Sequence, residues 1–217
     1  VAEACMNEEP YVDSLQTWGR KYPFAGYGSW FGQWIFSETP EPYNSFGNGS
    51  AMRVSSIGWL CDDEETVLKE ASRSAQITHN HEEGIMGAQS VALGVYLARK
   101  GSTKEQIKEK LESTFGYSLG RTLDSIRPEY HFDVTCQGSV PEAIIAFLES
   151  NDFEDAIRNA ISLGGDADTQ ACISGALAEA HYLSIPKPIK EFVVSRITPE
   201  MLEVLYEFDQ RVKVTLN

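Results

Sequence analysis

The chain has 217 residues, 18 Lys+Arg against 32 Asp+Glu, a formal charge of -14 at pH 7 and a pI near 4.7, with 42% hydrophobic and 11% aromatic residues. That apolar content suffices to bury a core and excludes disorder as the main state. The acid excess excludes a protein that grips nucleic acid or anionic membrane through a general positive field, so a phosphate ligand must be met locally. Apolar runs fall well short of the roughly 18 residues of a membrane-spanning helix, and the residues present show no signal-peptide pattern. A single cytoplasmic domain over 1–217, acting as a monomer, is expected.

In chain order, Gly26-Tyr27-Gly28-Ser29 precedes a predicted helix over 30–36 and has the composition of a phosphate-cradling turn. It lacks the lysine of a Walker loop and follows no strand. Next comes Asn44-Ser45-Phe46-Gly47-Asn48-Gly49-Ser50-Ala51-Met52-Arg53. Its glycines expose backbone N–H groups ahead of a helix start, which can hold an anion without lysine, and Phe46 can stack on a base or lie against a ribose. A plain turn into a capped helix accounts for the same residues. Asp62 or Asp63 can cap a helix running toward Ile77. Thr78-His79-Asn80-His81-Glu82-Glu83-Gly84 marks a junction between helices. There His79 is suited to donate to a phosphate or a ribose hydroxyl, and His81, Glu82 and Glu83 suit a solvated first turn.

Ile85, Ala88, Val91, Ala92 and Val95 recur at three and four and continue that helix. Ser102 or Thr103 can cap another through Leu111. Ser139 is the expected N-cap, with Pro141 in the first turn, of a helix carrying Val140, Ile144, Phe147 and Leu148. Asp152, Ala156, Ile157, Ala160 and Ile161 extend the pattern, and Pro199 opens a last helix with Leu202, Leu205 and Phe208 on one side. No stretch alternates as a strand would. The fold class is therefore all-α, a compact multi-helix domain whose least helical segments, 22–29, 37–50 and 115–138, are long enough to be functional loops. Cys5, Cys61, Cys136 and Cys172 form no CxxC pair and read as small core residues of a reduced protein.

The sharpest motif is Leu163-Gly164-Gly165-Asp166-Ala167-Asp168-Thr169, followed by a helix over 170–181. Two glycines permit a tight turn, and Asp166, Asp168 and Thr169 can then direct three oxygens to one side. Two carboxylates and a hydroxyl are hard ligands suited to Mg²⁺ and poorly suited to structural zinc. Asp and Thr are also favoured simply as N-cap and first-turn residues.

Taken in order, Gly26-Tyr27-Gly28, Gly47-Asn48-Gly49-Ser50-Ala51-Met52-Arg53, Thr78-His79, Ser139-Val140-Pro141 and Gly164-Gly165-Asp166-Ala167-Asp168-Thr169 resemble the ADP-ribosylglycohydrolase family. The resemblance runs from the first residues to about Tyr182. It implies an orthogonal all-α domain with two Mg²⁺ ions, Mn²⁺ being an acceptable replacement, at the base of a cleft that holds ADP-ribose. There the bond from ribose C1 to an acceptor, such as an Arg or Ser side chain of a modified macromolecule, is hydrolysed. By the same resemblance Asp166, Asp168 and Thr169 are metal ligands, with Asp166 and Asp168 the catalytic pair. Gly26, Gly28 and Ser29 flank the diphosphate, Ser45, Phe46, Gly47 and Asn48 surround the phosphates and distal ribose, and His79 contacts the ligand. The family's other ligands come from a Thr-Asp-Asp-Thr-type segment, with an acidic residue near it that assists catalysis. Val1-Ala2-Glu3-Ala4 resembles the helix that follows that segment, so half of the metal site is expected to lie outside this sequence. A non-catalytic ADP-ribose-binding relative is the alternative reading.

Overall fold

A computed structural model describes residues 1–215. The molecule is all-α. Among the described residues the chain forms α1 (Ala2–Asn7), α2 (Tyr11–Lys21), α3 (Ser29–Phe36), α4 (Gly49–Met52), α5 (Ser55–Leu60), α6 (Glu64–Gln76) and α7 (Glu82–Arg99). It continues with α8 (Lys104–Phe115), α9 (Leu123–Ile126), α10 (Cys136–Leu148), α11 (Phe153–Ser162), α12 (Ala167–Tyr182), α13 (Lys187–Val194) and α14 (Pro199–Thr215). Extended pairing among them is confined to one antiparallel bridge, Gly47 with Thr135. No helix among the described residues is long and apolar enough to cross a membrane.

The central element is α7. Ala88, Val91, Ala92, Leu93 and Val95 are all buried, which spreads apolar contact around the helix rather than along one stripe. It packs against α4, α5, α6, α8, α10 and α12. Small residues set two of those crossings. A Cβ on Gly58 of α5 would stand 2.5 Å from the Ala92 carbonyl oxygen, and one on Gly94 would stand 2.7 Å from Leu177 of α12. Arg99 closes the α5 crossing by donating from Nε to the Gly58 carbonyl at 2.7 Å. A smaller cluster of Leu15, Trp34 and Ile35 joins α2 to α3, with Ile35 filling the space where Gly19 lacks a side chain.

Local signals place several helix starts. Asp63 accepts from the Thr66 N–H, Thr103 forms a reciprocal capping box with Gln106, and Asp152 accepts from the Asp155 N–H. His81 caps α7 by accepting from the Glu83 N–H. Ser139 is a correction: α10 begins at Cys136, and its cap is Thr135, whose hydroxyl accepts from the Gly138 N–H. Ser139 and Pro141 therefore lie inside the helix. The earlier start is possible because the backbone entering it is held from outside, Cys136 N–H donating to the Phe46 carbonyl at 2.8 Å. Cys172 is a second correction. Cys61 and Cys136 are buried as expected, whereas Cys172 is exposed on α12 with its thiol 3.2 Å from the Met52 carbonyl oxygen. Its position on the helix turns it toward α4 and away from the core.

Candidate functional site

Asp166 occupies the N-cap position of α12, yet its side chain makes no capping bond. Its Oδ2 instead accepts from Asn48 Nδ2 at 2.7 Å. Asn48 stands at the N-cap of α4 and likewise makes no side-chain cap. Nδ2 of Asn48 also donates to Ser139 Oγ at 3.1 Å, and Ser139 Oγ donates to the Thr135 carbonyl at 2.6 Å. The two residues that a plain helix start would have explained are therefore turned on each other, 118 positions apart in sequence. The backbone fixes this meeting, because Asn48 N–H donates to the Val134 carbonyl at 2.8 Å beside the Gly47–Thr135 bridge.

Gly164 and Gly165 both take positive φ, 77° and 68°, and so form the turn that delivers Asp166 to this point. Asp168 follows in the first turn of α12 and is exposed, and Thr169 is buried with its hydroxyl directed at Met52 Sδ, 3.8 Å away. None of the ion pairs among the described residues uses Asp166 or Asp168. Two carboxylates without a basic partner beside a hydroxyl fit one side of a site for a hard divalent cation. They do not complete one. Among the described residues no group of three or more His, Cys, Asp and Glu gathers around a common point.

His79 is buried at the other end of the Gly47–Gly49 turn. A Cβ on Gly49 would lie 3.4 Å from its Nε2, so the missing side chains let the imidazole edge meet the turn. Nδ1 lies 2.7 Å from Thr78 Oγ1, which itself accepts from Arg53 Nη2 at 2.8 Å. The Thr78 proton is thereby available to Nδ1, and in that tautomer Nε2 carries hydrogen toward the turn. Burial, with the Arg53 guanidinium adding to it, pushes the His79 pKa down to about 3. The ring is neutral at pH 7, and in this tautomer its Nε2–H is free to donate to a ligand at the turn. Ser45 Oγ accepts from the Gly47 N–H at 3.1 Å, and Phe46 is exposed with its ring 5.3 Å from His81.

The Gly26–Ser29 loop is not hydrogen-bonded to this group among the described residues. Gly26 takes φ 79°, and a Cβ at Gly26 or Gly28 would meet nothing within 4 Å, leaving the backbone open. The connection runs through rings: Trp30 stacks on Tyr43 at 6.2 Å, and Tyr43 lies 6.1 Å from His79. Ser29, Trp30, Trp34, Phe36 and Tyr43 line an open groove of about 860 Å³ along this side. The structure thus joins Asn48, Asp166 and Thr169 with Ser139 and Met52, places His79, Ser45 and Phe46 around the same glycine turn, and leaves Gly26, Gly28 and Ser29 at the far end of an aromatic link. Ser139, Tyr43 and Arg53 are the participants that residue patterns did not assign. By residue type Ser139 reads as a helix cap, and Tyr43 lies in a loop without periodicity.

Residues 10–207 match the sequence profile of the ADP-ribosylglycohydrolase family. The chain belongs to that family. Among its relatives is ADP-ribosylhydrolase ARH3 of Gallus gallus, 32% identical with 68% of this chain and 53% of the relative covered. The same protein of Homo sapiens is 30% identical, with 68% and 54% covered. ADP-ribosylarginine hydrolase Tri1 of Pseudomonas putida is 28% identical, with 63% and 38% covered. The chain spans about half the length of the ARH3 relatives. A solved structure described as an ADP-ribosylglycohydrolase-related protein complex superposes with a TM-score of 0.66 at 23% identity, covering 99% of this chain and 76% of that one. At that identity it shows a shared all-α ADP-ribosylglycohydrolase fold.

Proposed function

We propose that this chain forms most of the catalytic domain of a Mg²⁺-dependent hydrolase that releases ADP-ribose from a modified acceptor by cleaving the bond at ribose C1. The observation that carries the reading is the Asn48–Asp166 contact, which takes two residues away from ordinary capping and sets a carboxylate beside Asp168 and Thr169. Asp166, Asp168 and Thr169 would hold the metal, and another segment or water would supply the remaining ligands. Held by these residues, Mg²⁺ or Mn²⁺ would supply Lewis-acid stabilisation of the negative charge developing on the leaving group.

The chain's own residues do the rest. Asn48 orients Asp166. The open backbone at Gly26 and Gly28, with Ser29 at the start of α3, offers neutral donors to the diphosphate. Such neutral donors can hold the diphosphate despite the net charge of -14. His79 presents Nε2–H at the Gly47–Gly49 turn, and Phe46 gives an apolar face beside it. Arg-linked ADP-ribose is a suitable acceptor class, in keeping with the name of the Tri1 relative, and Ser-linked ADP-ribose is a second.

The test is titration of ADP-ribose into the full-length protein with and without Mg²⁺, with assays of release from Arg-, Ser- and nucleic-acid-linked ADP-ribose. Metal-dependent release from one of these is expected. Binding without turnover would favour a non-catalytic ADP-ribose binder, and absence of both would overturn the reading.

A further inference from the structure

Tyr130 lies in the connection between α9 and α10, within a segment that no helical pattern claims. Its hydroxyl donates to the Gly138 carbonyl at 2.8 Å and accepts from Gln170 Nε2 at 2.7 Å. Its ring covers Gly165 so closely that a Cβ there would stand 2.7 Å from the ring's Cε1. These three contacts bracket the candidate ligands. Gly165 immediately precedes Asp166, Gln170 immediately follows Thr169, and Gly138 immediately precedes Ser139, the partner of Asn48.

Gln170 is fully buried, and its Oε1 has no hydrogen-bond partner. The Tyr130 hydroxyl is thus the group that holds the Gln170 amide in one orientation. Gly165, at φ 68°, is held from the other side by the same ring. A glycine pair would otherwise leave the backbone before Asp166 free to sample several conformations.

We propose that Tyr130 is a positioning residue for the Asp166–Thr169 ligand set, holding the turn before Asp166 and the helix after Thr169 in one register. The inference rests on the ligand role proposed above for these residues. It also ties residues 127–135, between α9 and α10, to the geometry of the site.

Tyr130→Phe tests it, because the ring that packs on Gly165 is kept while both hydrogen bonds are lost. In the full-length protein, Mn²⁺ affinity measured by electron paramagnetic resonance should weaken about tenfold, the lower end of the loss seen when a ligand's supporting hydrogen bond is removed. Turnover should lose kcat by a similar factor with KM changed less than about twofold, because substrate contacts are untouched. The double variant Tyr130→Phe/Gln170→Leu separates positioning from packing. Removing both polar partners relieves the orphaned amide, so thermal stability should recover toward wild type while Mn²⁺ affinity stays low. Recovery of both would show a merely structural role and overturn the proposal, as would wild-type Mn²⁺ affinity in Tyr130→Phe. If Tyr130→Phe weakens Mn²⁺ while the wild-type protein releases no ADP-ribose from any acceptor, the hydrolase reading falls and the positioning role stands.

Discussion

Asp166 and Asn48 each sit where a helix start favours a capping side chain, and neither caps. A capping bond contributes about 1 kcal/mol, and the chain forgoes two of them to orient one carboxylate. The consequence is testable at single residues. Asp168→Ala in the full-length protein should reduce metal-dependent turnover by about 100-fold or more while circular dichroism stays unchanged, since Asp168 is exposed and supports no packing. Wild-type activity would remove it from the ligand set. Asn48→Ala leaves the Asp166 carboxylate without its donor and should weaken Mn²⁺ binding by roughly 10-fold or more. His79 carries a pH prediction. Its pKa is about 3 in the folded chain against an ordinary 6.5, so between those values the unfolded chain binds a proton that the folded chain does not. Stability conferred by the neutral ring is therefore full above about pH 6.5 and declines as pH falls toward 3. His79→Gln should flatten the pH dependence of the urea midpoint between pH 6.5 and 4, and an unchanged slope would contradict the buried neutral imidazole.

Among the elements, those whose start signals are self-contained were legible in the sequence. Of the expected pairs Asp62 or Asp63 and Ser102 or Thr103, Asp63 and Thr103 cap their helices, each from a side chain three residues from its target, a relation that needs nothing from the rest of the fold. The start of α10 was not legible in this way. Ser139-Val140-Pro141 has the residue types of a helix beginning, but the chain enters the helix one turn earlier, where Asp133 Oδ1 accepts from the Thr135 N–H and hydroxyl and residues 46–48 bond to the incoming backbone. Those partners come from a loop nearly 90 positions away. Thr135→Ala should cost about 1 kcal/mol in urea unfolding, whereas a Ser139 cap would have made Thr135 neutral. The shift of one turn also changes what Ser139 does, since only inside the helix can its hydroxyl bond back to the Thr135 carbonyl and present its lone pairs to Asn48.

For the molecule as a whole, the crossing of α5 on α7 shows how closely the scaffold that carries the site is packed. Gly58→Ala would force a methyl group to 2.5 Å from the Ala92 carbonyl oxygen, and backbone cannot yield as a flexible side chain does. A loss of about 1–3 kcal/mol is expected from the urea midpoint, and an unchanged midpoint would show that the crossing is looser than described. Within this packing Asn48 meets both Ser139 and Asp166, and His79 lies beside the Gly47–Gly49 turn. By itself the sequence determined the all-α class, several helix starts, the hard-oxygen character of Asp166, Asp168 and Thr169, and, through an ordered set of motifs, the family. These are properties of residue type and short-range spacing. Only the tertiary structure decided that Asn48 serves Asp166, that Ser139 serves Asn48, that His79 is neutral, and that Tyr130 touches both Gly165 and Gln170. Each of those depends on the direction of a side chain and on desolvation by residues far away in the chain, which are fixed only when the helices pack.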